Sequence, residues 1–385
     1  MPVYILSVYQ TKFGELWNSS LEDLIDQTID NIFKNSPCHK SQINTLFLSN
    51  MLGQSTDNQG HLASYASQKI GNIPAYKVES ACASAGAAIN LAYNYLNSGV
   101  SKTALVIGVE KMTDIASSSI SNYLVQAGSQ KKEGRYGVTF PALYALITRA
   151  YKQKYGLTRD QLSSVAVKNH FHGSLNEKAH FRNKITLEMV NNSPLVADPL
   201  RLLDCSPITD GAAAAILTTD KSLVKKITNP KITLLTSTIA TDTLALQDRS
   251  SFTSLKSAKL ASQKAYKLTK LSPSDIDFLE LHDCFTINEI ISLEDLGFYP
   301  PGAGKYAAQK GQTYLNGPLP VNTSGGLKAC GHPVGASGLK QLIEIYLQLK
   351  GLAGLRQLKN PKIGLTHNIG GSGATCVINI LSNKN

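Results

Sequence analysis

The sequence predicts an α/β protein made of two similar halves. Short apolar strands alternate with helical stretches along most of the chain, the pattern of βαβ units with helices covering a mixed or parallel sheet. The alternation restarts near residue 230. Each half also holds a strand, a turn of small residues and a helix stopped by glycine, at Cys82–Gly99 and Ala336–Gly351. At 385 residues the chain is too long for one simple core, so a duplicated unit is the economical reading.

Taken in order, Val3–Val8 reads as a strand. Ser20 caps a helix reaching about Lys34, with Leu21, Leu24, Ile25, Ile29 and Ile32 on one face. Thr45–Ser49 is a strand, His61–Ile70 a helix, and Ala75–Glu79 a strand that leads into the Cys82 helix. Ala104–Val109 is apolar enough for the middle of a sheet. Residues 113–197 break the rhythm and read as an inserted loop subdomain, with helices at about Pro141–Tyr155 and Arg159–Ser174. Ala212–Thr218 completes the first half, residues 1–222, and Lys221–Pro230 is the linker. The second half, 230–385, repeats the scheme. Its strands are Lys231–Ala240, Ile276–Leu281, Ile363–Thr366 and Thr375–Leu381, and its helices are Leu255–Leu268, Thr286–Asp295 and Ala336–Lys350.

Composition narrows the function. Hydrophobic content of 42% and charged content of 17% are globular values. The net charge is +11, but Lys and Arg are scattered and no basic run is interleaved with aromatics. That argues against nucleic acid and favours a polyanionic small molecule. The six cysteines lie far apart with no Cys-x-x-Cys, so neither a metal site nor a disulfide framework is expected. Reduced thiols fit a cytoplasmic protein. Residues 1–10 read as a strand rather than a leader, and no apolar run is long enough to span a bilayer.

Four turns carry reactive groups. Cys82-Ala83-Ser84 opens a helix of small residues, where free N–H groups and the macrodipole stabilise a thiolate. From this stretch alone, an activated thiol and an inert core cysteine fit equally well. His282-Asp283-Cys284-Phe285 follows an apolar strand. Cys330-Gly331-His332-Pro333 precedes the second glycine-stopped helix. His367-Asn368-Ile369-Gly370-Gly371-Ser372-Gly373 reads as a turn near the end of the chain. Strand ends are where functional groups collect in open α/β sheets, so the four can converge.

Together, and over essentially the whole chain, these motifs resemble the thiolase superfamily. The likeness is greatest to the sterol-carrier-protein and archaeal types, which carry His-Asp-Cys-Phe or a close variant. Gln10-Thr11-Lys12-Phe13-Gly14 and Ala197-Asp198-Pro199-Leu200 belong to the same likeness. It implies a duplicated five-layer αβαβα thiolase fold. It also implies acyl-CoA substrates, with no permanently bound cofactor and no metal, and a homodimer or homotetramer. The implied roles are Cys82 as nucleophile, His332 as its base, Cys284 as second acid/base and His282 as donor to an enolate oxygen. Backbone N–H groups of Cys82 and of Gly370, Gly371 and Gly373 are the expected oxyanion hole. Ordinary thiolases place a catalytic Cys where this chain has Asn368, so Cys284 is the expected substitute, its thiol brought into range by His282. Asn368, Arg182 and Lys184 are substrate-binding candidates. His170, His172, Lys178 and His180 join them as possible cations for the phosphates of coenzyme A. Two other readings compete: a thiolase-like aldolase working on CoA esters with an accessory protein, and a non-catalytic acyl-CoA-binding scaffold.

Overall fold

The computed structural model describes residues 1–34 and 36–384. Its strands are β1 (Val3–Gln10), β2 (Thr45–Ser49), β3 (Ala75–Val78), β4 (Thr103–Glu110), β5 (Leu195–Ala197), β6 (Leu200–Arg201), β7 (Gly211–Thr218), β8 (Ile232–Thr241), β9 (Phe278–Glu280), β10 (Ile363–Gly370) and β11 (Thr375–Ser382). β5 and β6 form a separate ribbon. The other nine run in the order β3-β2-β4-β7-β1-β8-β11-β10-β9.

The duplication is visible in the pairing. From β1 outward through β7, β4, β2 and β3 the senses are antiparallel, antiparallel, parallel, parallel. From β8 outward through β11 and β10 to β9 they are antiparallel, antiparallel, parallel. A parallel bridge from Leu279 to Val321 then stands where β3 stands in the first half. The halves meet through three β1–β8 pairs, Val3↔Leu234, Tyr4↔Thr233 and Ile5↔Ile232.

Period-two patterning assigns each strand face to a layer. Leu46, Leu48, Leu105, Ile107, Ala212 and Ala214 pack outward against the helix Leu21–Ile32. Phe47, Ala104, Val106, Ala213 and Ala215 face inward, onto the helices Ser84–Asn97 and Ser337–Lys350. Leu279, Leu365, Ile378 and Ile380 pack outward against the helix Lys256–Thr269 and the subdomain helices. The layers are therefore helix, half-sheet, central helix pair, half-sheet, helix.

The two central helices approach closely because their first turns lack side chains. A Cβ on Gly338 would sit 2.4 Å from Asn368 Oδ1 and 2.6 Å from the Gly86 nitrogen, and one on Gly108 would sit 2.4 Å from the Gly335 carbonyl. This crossing brings the Cys82 and His332 turns to one place. Ser20 caps its helix with a capping box through Asp23, as its sequence position predicts.

Two expectations are corrected. The first central helix starts at Ser84, not Cys82. Ala81, at φ 53°, and two successive backbone turns hold Cys82 just ahead of it. His367, Asn368 and Gly370 lie in β10 rather than in a turn, because their backbone pairs with Ile378, Val377 and Thr375 of β11.

Candidate active site

Cys82, His282 and His332 come together, with their sulfur and ring nitrogens all within 4.8 Å of one another. The two imidazoles meet edge to face, centroids 5.0 Å apart. His282, His332 and Cys284 are buried, and Cys82 is partly exposed.

Each ring has a fixed tautomer. Ser337 Oγ donates its only proton to the Pro333 carbonyl at 2.8 Å. His332 Nδ1, 2.7 Å from the same oxygen, must therefore donate, which leaves Nε2 a proton acceptor. Asn368 sets His282. Its Oδ1 accepts from the Gly86 N–H at 3.1 Å, so its Nδ2 is the donor. Nδ2 reaches the Cys82 carbonyl at 3.0 Å and His282 Nδ1 at 3.2 Å. His282 Nδ1 is thus an acceptor and Nε2 carries the proton, buried and without a partner among the described residues. That N–H is free to meet an oxyanion. Asn368 has both its hydrogens committed to protein groups, so it positions the site rather than offering a donor to substrate, a correction to the expectation.

A Cys-His-His set is a familiar zinc donor combination. Here the Asn368 bond opposes it, because a protonated His282 Nε2 has no lone pair for a metal.

The electrostatics also depart from expectation. Burial pushes the Cys82 thiol up to about 12, against the opposing pull of the Gly371 and Cys82 N–H groups. Burial holds His332 down to about 3, and Lys340 adds to the effect. The resting pair is a neutral thiol and neutral imidazole, because exclusion of water outweighs the helix terminus. Cys284 lies well above its ordinary value, raised by burial and then by Cys82. Tyr144, not His282, is the side chain that opposes this by hydrogen bonding.

Of the glycine turn, the Gly371 N–H faces the Cys82 sulfur. The Gly373 N–H is committed to the Gly370 carbonyl at 3.2 Å and drops out of the expected oxyanion hole. Gly370 has no room for a side chain, since a Cβ would meet the Ser80 carbonyl at 2.5 Å. A cavity of about 410 Å³ lined by Ser80, Ala81, Gly370 and Ala127 opens beside this turn.

Of the expected phosphate cations, Arg182 and Lys184 are exposed. Arg182 lines a surface cavity of about 560 Å³ together with Lys178. Lys184 Nζ lies 5.2 Å from the Phe171 ring centroid. His170 and His172 are corrected: burial pushes them down to about 4 and about 3, so they are neutral. Nδ1 of each bonds a carbonyl, of Asn183 and Asn322. His180 bonds Thr209 Oγ1 at 3.0 Å.

Supports absent from the sequence reading come from distant segments. Glu110 accepts from the N–H groups of Met51, Leu52 and Gly335 at 2.8–3.0 Å and pins the His332 loop to the end of β4. Asp283 accepts from the N–H of Leu327 at 2.6 Å and of Lys328 at 3.2 Å. Arg249 clamps the glycine turn through Ser372, 2.5 Å to its carbonyl and 3.0 Å to its hydroxyl. Asp283 stands inside the His-Asp-Cys-Phe motif, but no motif marks Glu110 or Arg249. A buried charge in an apolar context was the only available signal.

The family model described as "Thiolase, N-terminal domain" matches residues 3–221, and "Thiolase C-terminal domain-like" matches 238–383. The chain belongs to the thiolase family. An acetyl-CoA acetyltransferase of Methanothermobacter thermautotrophicus is 43% identical over 382 residues, 99% of each chain. Human sterol carrier protein 2 is 31% identical, covering 97% of this thiolase and 71% of that protein. Among solved structures, the Ltp2-ChsH2(DUF35) aldolase superposes with a TM-score of 0.85 at 21% identity, covering 100% of this chain and 98% of that one. Human mitochondrial 3-ketoacyl-CoA thiolase in complex with CoA gives 0.76 at 16% identity, covering 100% and 98%. At those identities the likeness speaks to the fold. No helix among the described residues is long and apolar enough to cross a membrane.

Proposed function

We propose that this thiolase is a CoA-dependent acyltransferase of the acetyl-CoA C-acetyltransferase type, making or cleaving 3-ketoacyl-CoA through an acyl-Cys82 intermediate. The observation that carries it is the Cys82–His332–His282 constellation with one proton acceptor and one unpartnered donor. The 43% identity to acetyl-CoA acetyltransferases over the full chain supports the same reaction.

In the first step Cys82 sulfur attacks the thioester carbonyl while its proton passes to His332 Nε2. The developing oxyanion is met by backbone N–H groups at the Cys82 and Gly371 turns. Coenzyme A leaves with the proton from His332. In the second step Cys284, acting from the small thiolate fraction that its raised thiol leaves, removes a methyl proton from acetyl-CoA while His282 Nε2–H stabilises the enolate oxygen, and that proton then passes to the Cys82 sulfur as it leaves the acyl group. The carbanion attacks the acetyl carbonyl and Cys82 is released. Because the resting pair is neutral, Cys82 deprotonation accompanies attack rather than preceding it.

Coenzyme A is the substrate carrier, with Arg182, Lys178 and Lys184 offered to its phosphates. The chain divides into halves 1–222 and 230–385, works in the cytoplasm, and assembles as a homodimer or homotetramer. The exposed edge strand β3, with Tyr76 43% exposed, supports assembly.

The aldolase reading, with its accessory acyl-CoA-handling protein, is the alternative; the likeness to the Ltp2-ChsH2(DUF35) aldolase, at 21% identity, concerns the fold alone. A lyase needs no acyl-enzyme, so Cys82, Cys284 and His332 would have no joint task in it. Acetoacetyl-CoA thiolysis by free CoA tests the proposal. The parent should turn over and Cys82→Ala should not. Equal thiolysis by both would overturn it.

A further inference from the structure

We propose that the Tyr144 hydroxyl is the hydrogen-bond donor that holds the Cys284 thiolate during proton transfer. This rests on the reading of Cys284 as the second acid/base. Tyr144 comes from the inserted subdomain, on the helix Phe140–Tyr155, and is 1% exposed. Its ring stacks on Phe285, the residue after Cys284, with centroids 4.5 Å apart at 26°. Its hydroxyl is 3.3 Å from the Gly371 carbonyl, on the residue whose N–H faces the Cys82 sulfur. The phenol therefore packs at its ring on the neighbour of Cys284 and at its hydroxyl on the glycine turn. It has one proton and a long resting bond, and rotation about the C–O bond delivers that proton to either neighbour.

Besides Tyr144, the backbone N–H of Phe285 also favours the Cys284 thiolate, and the neighbouring side chains His282 and Asp283 are committed elsewhere. His282 Nδ1 is engaged by Asn368, and its Nε2–H serves the substrate oxygen. Asp283 is spent on the Leu327 and Lys328 N–H groups, and its charge repels a thiolate. The mutual shifts agree with contact: Tyr144 lowers Cys284, and Cys284 raises Tyr144. In the step itself the methyl C–H bond breaks and the S–H bond forms. The C–H electron pair passes into the enolate, and the Tyr144 proton stays on its own oxygen throughout. When the thiolate is quenched, the hydroxyl swings back to the Gly371 carbonyl.

The test is Tyr144→Phe, which keeps the stacked ring, measured beside Cys284→Ala. Deuterium exchange into the methyl of acetyl-CoA is followed from about pH 6 upward until the rate levels off, because the raised Cys284 thiol puts the rising limb above the ordinary thiol range. Cys82 acetylation is followed separately. Loss of a hydrogen bond to a charged group predicts exchange down about 10- to 100-fold at neutral pH, with the rising limb shifted up by about one unit or more. Exchange should recover toward the parent rate at high pH, and Cys82 should still acetylate. Parent rate and parent midpoint in Tyr144→Phe, with Cys284→Ala inactive, would overturn the proposal and leave the acid/base reading intact. A uniform loss with no midpoint shift would reduce Tyr144 to packing and overturn it as well. Parent exchange in Cys284→Ala would instead overturn the reading on which the proposal stands.

Discussion

Asn368→Asp is the sharpest perturbation of this site, because one amide sets three partners at 3.0–3.2 Å. A carboxylate there still accepts from the Gly86 N–H. It takes away the donors to the Cys82 carbonyl and to His282 Nδ1, and sets a negative oxygen against that carbonyl. It also draws the His282 proton to Nδ1, so Nε2 presents a lone pair where an enolate oxygen must sit. Loss of one such oxyanion donor costs about 100- to 1000-fold, and the reversed dipole should put the variant at the upper end. Condensation and methyl deuterium exchange should both fall by that amount. Acetylation of Cys82 depends on His332, whose partner Ser337 is untouched, so it should fall about tenfold at most. The freed lone pair completes the Cys-His-His donor set, so micromolar zinc should inhibit acetylation of the variant far more than that of the parent. Parent-level exchange in Asn368→Asp, or equal zinc sensitivity in the two proteins, would refute the assigned His282 tautomer.

Three further outcomes follow from the same geometry. Gly338→Ala places a Cβ 2.4 Å from Asn368 Oδ1 and 2.6 Å from the Gly86 nitrogen. It should cost about 1–3 kcal/mol by overpacking, read as a lower denaturant midpoint, and should slow condensation. Arg249→Leu releases the Ser372 carbonyl and hydroxyl, and should slow Cys82 acetylation by roughly tenfold through a looser Gly371 turn. Stability should fall on acidification. Burial holds His170 near about 4, His172, His332 and His367 near about 3, and His282 well below its ordinary value. Unfolding lets all five take up protons below about pH 6.5, so the unfolded state binds more protons and gains as pH drops. Glu110 (to about 7), Asp295 (to about 6) and Asp283 are raised by burial and oppose this. With His180 also lowered and Asp57 and Glu294 also raised by burial, the net is about one proton, or roughly 1.4 kcal/mol per pH unit. The urea midpoint should therefore be lower at pH 5 than at pH 7, and a higher midpoint at pH 5 would contradict the buried neutral imidazoles.

The strands and central helices were legible because period-two and 3.6-residue patterns are local. Thr45–Ser49, Arg159–Ser174 and Thr286–Asp295 are recovered to the residue. The two glycine-stopped helices recur in the sequence as the strand-pairing scheme recurs in the fold. His367 to Gly370 misled because glycines after an apolar run read as a turn, whereas the pairing with β11 carries the strand on to Gly370. The four motifs were legible as motifs, but the tautomers were not. These depend on Ser337, Asn368 and Gly86, whose meeting is a consequence of helix crossing. Tyr144 and Arg249 were invisible for the same reason: each reaches the site from more than 100 residues away from its partner at Gly371 or Ser372. The direction of the Cys82 shift was missed because a helix terminus can be seen in a sequence and burial cannot.

The central claim is that Cys82 carries the acyl group. Peptide mapping by mass spectrometry after brief acid quench of the protein with acetyl-CoA tests it directly. One acetyl group on the peptide holding Cys82, discharged on adding free coenzyme A and absent from Cys82→Ser, is the predicted result. Acetyl on Cys284 or on another of the six thiols, or none while the protein turns over, would contradict it.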